Sequence, residues 1–386
     1  MRSWPGDHGR TIRITLITPG FSADERDWCI PALRGLVAAL ARQDDVRVLT
    51  LHYPYARGDY SAFGAAVHAL GGANVSGPAR GRVLLRGLAW TVREHRRRPA
   101  DVLHALWADE AGAVAVAAAR ALRTPAVVSL MGGELVDLGD IRYGGQRSLL
   151  GRRLVRPALR HADRVTAGSE ALHRRALPYV RTGRLATLPL GVDTSLFRPG
   201  PRPEPPLLAG RTPLLCVASL TPVKDHAALL RALARAARDA DVHLHVVGDG
   251  PLRDGLEHEA VRLGVARRVT FHGAVPHDRL PDYYRAAHLL VVSSRYESQS
   301  MVAFEAAACG CPVVGTAVGA LPDLPGVRTV PVADDAALAE AIVAAVADAR
   351  DLAGRGRTSL EAVRAEFTLE RSAGRLRALY EDVARG

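Results

Sequence analysis

Short apolar runs alternate along the chain with longer stretches in which apolar positions recur every three or four residues. The first pattern predicts strands and the second predicts helices. Strands are expected at residues 11–18, 46–52, 101–106, 126–130, 164–168 and 184–188, with helices at 31–42 and 108–122. Beyond residue 199 the pattern restarts. Strands are expected at 214–219, 243–247, 269–272, 289–293 and 312–315, with helices at 225–238, 252–263 and 301–309. This βαβα rhythm predicts α/β architecture with parallel sheets covered by helices on both faces. Two successive runs predict two Rossmann-like, doubly wound domains facing across a cleft, with ligands bound at the carboxyl ends of the strands. The proline-rich stretch PGPRPEPP at 199–206 marks the boundary, which gives domains 1–198 and 199–368.

Composition narrows the class. The chain has 386 residues, enough for two or three domains. Its 48% hydrophobic and 24% charged residues exclude a disordered or collagen-like chain. No run of apolar residues reaches the roughly 18 needed for a membrane span. The first ten residues lack the apolar stretch of a signal peptide, so a cytoplasmic location is expected. Cys29, Cys216, Cys309 and Cys311 are too few for a disulfide framework, and the C-x-C pair has no neighbouring metal-ligand cluster.

Charge is distributed unevenly. The net charge is +11. Residues 1–199 hold 29 basic and 17 acidic residues (29 − 17 = +12), whereas residues 200–386 hold 22 and 23 (22 − 23 = −1). One half therefore faces something anionic, or else the chain has a general habit of using arginine. In the stretch 80–98, a helical wheel gathers Arg82, Arg86, Arg93, Arg96 and Arg97 on one arc, with Trp90 at its border. Leu84, Leu85, Leu88 and Val92 occupy another arc. Such a helix suits an anionic membrane surface or an anionic acceptor, and equally a solvated helix packed through its leucines. A second cluster of seven arginines spans 142–164.

The densest chemistry lies at 293–316, SSRYESQSMVAFEAAACGCPVVGT. A strand ends at Ser293, a loop carries Glu297, and a helix opening near Ser300, a plausible N-cap, carries Glu305. The helix start offers amide groups and partial positive charge, which suit a diphosphate. A carboxylate inside the helix suits ribose hydroxyls, and one in the loop suits a sugar hydroxyl. The plainer reading is a buried helix with an incidental glutamate pair.

This segment resembles the E-x7-E signature of family-4 retaining glycosyltransferases (glycosyl transferases group 1), which have the GT-B fold. Residues 162–169 (ADRVTAGS), 188–199 (LPLGVDTSLFRP), 216–224 (CVASLTPVK), 246–251 (VVGDGP) and 271–275 (FHGAV) resemble further family segments in the same order. The resemblance implies a sugar transferase of the EC 2.4 type. It also implies that the terminal helix, residues 369–386, packs back onto the first domain. By the same resemblance, Lys224 contacts the donor diphosphate, Glu305 holds the ribose, and Glu297 holds the transferred sugar. Glu297 and Lys224 then carry the catalytic roles. The amides of Ser300, Met301 and Val302 face the diphosphate, Val275 meets the nucleobase, and Gly248 and Ser219 line the pocket. Lys224 is also the chain's single lysine.

There are departures from the family pattern. Ala218-Ser219 stands where the family has Gly-Arg, and Ser298-Gln299-Ser300 where it has Gly-Phe-Gly. Met131, ahead of Gly132 and Glu134, stands where it has a histidine. His104, at a neighbouring strand end, is either a partial substitute or a packing residue. Gly20 fits a loop that approaches the diphosphate or the acceptor, and Gly20, His104, Met131, Gly132 and Glu134 together mark the acceptor side. No D-x-D motif lies at the carboxyl end of an expected strand, so metal-independent transfer from a UDP- or GDP-linked sugar with no further cofactor is expected. The acceptor is unidentified, and either anionic or lipid-linked. Three other readings stay open. They are a nucleotide-sugar epimerase or hydrolase, a non-catalytic protein of the same fold, and a basic nucleic-acid-binding protein, for which interleaved aromatics are lacking.

Overall fold

A computed structural model describes residues 10–385 other than 28, 74, 76 and 204–211. The first nine residues and the end of the proline-rich stretch lie outside the described residues. The chain divides into two compact units. One comprises the residues up to Gly191 together with those from Leu369, and the other is Val192–Thr368. The second unit thus begins ahead of the proline-rich stretch. Val192 pairs with the far end of the same unit, its amide donating to Phe367 O at 2.8 Å.

In the first unit the elements run β1 (Arg13–Gly20), α1 (Pro31–Ala41), β2 (Asp45–Tyr53), β3 (Gly58–Ala62), β4 (Ala65–Ala69), α2 (Pro78–Arg97), β5 (Val102–Leu106), α3 (Glu110–Leu122), β6 (Ala126–Leu130), α4 (Leu149–His161), β7 (Arg164–Ala167), α5 (Glu170–Ala176) and β8 (Leu185–Thr187). Among the described residues the sheet order is β3-β4-β2-β1-β5-β6-β7-β8, parallel except for the β3/β4 hairpin. β1, β5 and β6 are buried on both faces and so read as continuous apolar runs. One face packs Leu33, Leu36 and Leu40 of α1 with Leu369, Leu376 and Tyr380 of the C-terminal helix (Leu369–Arg385). The other packs Val83 of α2, Val114 of α3 and Leu159 of α4.

Several elements of this unit escape the pattern, among them the β3/β4 hairpin, α4 and α5. The β3/β4 hairpin turns on Phe63 and Gly64, both left-handed (φ 52° and 78°), as two-residue hairpin turns require. Phe63 gives no turn signal. Its ring is held edge-on to Phe21 at 5.9 Å and lies under the guanidinium of Arg34. α4 falls in the second arginine cluster and contains Pro157, which obscures its helical period.

The second unit runs β9 (Thr212–Val217), α6 (His226–Ala236), β10 (Val242–Val247), α7 (Arg253–Arg262), β11 (Val269–Gly273), α8 (Leu280–Ala286), β12 (Leu289–Val292), α9 (Met301–Ala308), β13 (Val313–Thr316), β14 (Arg328–Val330), α10 (Asp335–Ala347) and α11 (Ala349–Glu366). Its described strands form an all-parallel sheet ordered β11-β10-β9-β12-β13-β14. α6 and α10 cover one face, and α8 and α9 the other. The strand order reverses at β9, between β10 and β12. The crevice outside the carboxyl ends there is where an open α/β sheet binds its ligand.

Candidate functional site in the second unit

The loops leaving β9 and β12 meet at that reversal point. The β9 loop closes with a short turn, Pro222–Lys224, and Lys224 then points back toward the loop after β12. Its Nζ donates to Glu297 Oε1 at 2.6 Å, and the same oxygen accepts from Ser294 Oγ at 2.7 Å. Two more bonds lock the loops together. Ser293 Oγ donates to Lys224 O at 2.8 Å, and the Arg295 amide donates to Val223 O at 2.8 Å. Lys224 and Glu297, far apart in sequence, are thus a partly buried ion pair at the mouth of the crevice.

α9 begins immediately beyond. Ser300 occupies its N-cap position but makes no side-chain cap bond, contrary to the expectation from sequence. The reason is conformational: φ 80° and ψ 71° place Ser300 in the left-handed region and not in the extended conformation of a capping residue. Its Oγ is buried with no protein partner. The amides of Met301 and Val302, in the first turn, have no acceptor within the helix. Glu305 lies one turn further in. Its Oε1 accepts from His277 Nε2 at 2.8 Å and its Oε2 from the Tyr284 hydroxyl at 2.9 Å. Burial and the neighbouring Glu305 carboxylate push the Tyr284 hydroxyl well above its usual pKa. His277 and Tyr284 were not singled out from sequence, and nothing in PHDRLPDYY marks them without the tertiary contact.

Gly248 follows β10 with φ 137°, and a Cβ there would lie 2.0 Å from Ala218 O. Only glycine lets the β9 and β10 ends approach this closely. Ser219 is exposed beside them, and Val275 is partly buried against the α8/α9 core. Lys224, Glu297, Gly248, Ser219 and the start of α9 thus share one sheet end.

In the first unit, Gly20 ends β1, where a Cβ would meet Tyr53 Cβ at 3.3 Å and Cys29 Sγ at 3.5 Å. Glu134 turns inward. Its carboxylate accepts from the amides of Met131 (3.0 Å), Gly132 (2.7 Å) and Ala108 (3.3 Å), tying the ends of β5 and β6 together. Burial pushes this carboxyl up and the Met131 amide opposes the shift. His104 is a correction. It is fully buried, with Nδ1 2.6 Å from the Tyr380 hydroxyl and Nε2 2.8 Å from Ser129 Oγ, and burial lowers its pKa to about 3. It anchors the C-terminal helix and does not replace a histidine at position 131. A further cluster missed from sequence joins His52, Arg80 and Glu110. His52 Nε2 lies 2.6 Å from Glu110 Oε2, and Arg80 also bonds Glu110. The Glu110 hydrogen bond raises the His52 pKa.

On α2, Arg82, Arg86, Arg93, Arg96 and Arg97 are exposed, as the wheel predicts. Leu85 departs from it and is 67% exposed. The buried stripe runs through Val83, Gly87 and Thr91, so Leu85 falls outside it. Leu85, Leu88, Ala89 and Val92 instead line a shallow groove edged by Arg93, Arg96 and Arg97. Trp90 stacks on His68 with ring centroids 5.0 Å apart. Among the described residues no helix is long and apolar enough to cross a membrane.

Residues 30–191 match the model of the glycosyl transferase 4-like domain, and residues 211–348 that of glycosyl transferases group 1. The chain is 39% identical over 173 residues to a D-inositol 3-phosphate glycosyltransferase of Mycolicibacterium gilvum, across 42% of this chain and 38% of that protein. The chain therefore matches less than half the length of that relative. Among solved structures, a sucrose-phosphate synthase of Thermosynechococcus elongatus superposes with a TM-score of 0.80 at 25% identity, covering 97% of this chain and 99% of that one. Anabaena HepE in complex with UDP superposes with a TM-score of 0.74 at 18% identity, covering 96% and 100%.

Proposed function

Because the chain belongs to the group 1 glycosyltransferases and has their GT-B fold, we propose that it moves a sugar from a nucleotide-sugar donor to a separate acceptor. The donor is a UDP- or GDP-linked sugar bound by the second unit. The supporting observation is the convergence of Lys224, Glu297, the first turn of α9 and Glu305 at one sheet end. A diphosphate leaving group carries negative charge that grows as the glycosidic bond breaks. Lys224 and the partial positive end of α9 supply fixed compensation there. That charge set serves a metal-independent transfer. Glu297, oriented by Lys224 and Ser294, accepts from a hydroxyl of the transferred sugar. Retention of the anomeric configuration, with the leaving phosphate helping to deprotonate the acceptor, is the family chemistry that this arrangement suits.

The first unit binds the acceptor. The α2 groove, apolar along Leu85, Leu88, Ala89 and Val92 and edged by arginines, favours an acceptor presented at an anionic membrane surface. Each basic residue near such a surface contributes about 1 kcal/mol.

The test is turnover of UDP- and GDP-linked sugars by the isolated protein, with and without a lipid extract as acceptor source. Nucleoside diphosphate released only in the presence of the extract supports transfer. Equal release without any acceptor supports the hydrolase reading instead, and conversion of the donor to a different nucleotide sugar without release supports the epimerase reading.

A further inference from the structure

Neither oxygen of Glu305 is left unsupported. His277 Nε2 approaches Oε1 at 2.8 Å and the Tyr284 hydroxyl approaches Oε2 at 2.9 Å, so each oxygen accepts one hydrogen bond from a different element. Facing a carboxylate, Nε2 carries its proton in either the neutral tautomer or the cation. Glu305 and Tyr284 are both buried, and Phe197 closes the group from behind. Its ring lies edge-on to His277 at 5.0 Å and tilted against Tyr284 at 6.0 Å.

Two consequences follow from this geometry. A glutamate has three side-chain torsions, and a donor on each oxygen removes the freedom of the last two. A carboxylate also offers about four lone-pair directions. With one per oxygen already used, each oxygen keeps room for one more donor. That leftover pattern matches two hydroxyls on adjacent carbons, each donating to a different oxygen.

We infer that His277 and Tyr284 are positioning residues that fix Glu305 as a two-point acceptor for the vicinal diol of a ribose. The site therefore selects ribonucleoside over deoxyribonucleoside diphosphates. This inference rests on the donor reading above. His277 and Tyr284 act through Glu305 and do not touch the nucleotide.

The experiment compares binding of UDP and GDP with that of their 2′,3′-dideoxy forms by calorimetry. It uses the wild-type protein, Tyr284→Phe, His277→Leu and His277→Gln. Tyr284→Phe keeps the ring and removes only the hydroxyl, and thermal unfolding checks that it remains folded. In the wild type the ribonucleotide binds more tightly than its dideoxy form. Tyr284→Phe weakens ribonucleotide binding by about ten-fold, the scale of one hydrogen bond to a charged group, and leaves dideoxy binding unchanged. His277→Leu does the same, and His277→Gln, which keeps a donor, restores most of the preference. A ribo-to-dideoxy ratio in Tyr284→Phe and His277→Leu equal to that of the wild type overturns the inference, whether both affinities fall or neither moves. A wild type that binds ribo and dideoxy forms equally overturns the role of Glu305. A wild type that binds neither UDP nor GDP overturns the donor reading itself.

Discussion

Lys224 Nζ lies 2.6 Å from Glu297 Oε1, and this contact joins the loops after β9 and β12. The lysine therefore reaches the crevice already oriented by a carboxylate. A diphosphate entering beside the first turn of α9 adds a second anionic partner to the same ammonium.

Lys224→Met removes that cation while keeping much of the aliphatic stem. UDP or GDP affinity should fall by roughly 10–100-fold, the scale of a charge-assisted contact to phosphate. Affinity for the corresponding nucleoside, which lacks the diphosphate, should not change. Calorimetry with both ligands checks this, and equal losses for nucleoside and diphosphate would show that Lys224 acts on the fold and not on the phosphates.

Ser300 has φ 80°, a conformation that costs an L-residue about 1 kcal/mol. Ser300→Gly should therefore raise stability by about that amount in denaturant titrations. Because the Ser300 hydroxyl has no protein partner, little is lost with it. A drop in stability on that substitution would contradict the strain.

Buried histidines of β5 and β10 make stability depend on pH. Burial pushes His245 down to about 4, with His243 and His272 adding repulsion. His104 is pushed down to about 3 by burial. Both folded values lie below the unfolded 6.5, so both side chains are held neutral by folding. Their stabilisation is whole above about 6.5 and is lost as pH falls through that value toward 4 and 3. Denaturant midpoints measured across that range should decline, and His245→Gln should flatten the upper part of the decline. A wild-type midpoint unchanged down to pH 4 would contradict the burial of these imidazoles.

Replacing Arg82, Arg86, Arg93, Arg96 and Arg97 by glutamine should release the protein from anionic vesicles in a flotation assay while nucleotide binding persists. Salt should weaken wild-type binding in the same assay. Vesicle binding equal to the wild type would return the basic stripe to a solvated helix face.

Much of this was readable in the sequence, and the exceptions have identifiable causes. The strand at 126–130 and the crossing helices stand out because strands buried on both faces are continuous apolar runs. Lys224, Glu297 and Glu305 stand out because each breaks a local pattern: a single lysine among arginines, and two acids framing a helix start. His277 and Tyr284 do not, since a histidine and a tyrosine in a polar helical stretch acquire meaning only when folding brings them to Glu305. The hairpin at Phe63 is hidden for a related reason, because the contacts that hold its turn come from Arg34 of α1 and from Phe21, just past β1. The helical wheel of α2 places the arginines correctly and misplaces Leu85, because the stripe that packs, through Val83, Gly87 and Thr91, is rotated away from the leucine arc.

The most direct test is nucleotide binding by Glu305→Ala. With the wild type and this variant both folded by thermal unfolding and circular dichroism, calorimetry with UDP, GDP and their sugar conjugates compares the two. The expected result is measurable binding of at least one of these ligands by the wild type and its loss in Glu305→Ala. Undiminished affinity of a folded Glu305→Ala for every nucleotide that the wild type binds would contradict the placement of the donor at α9.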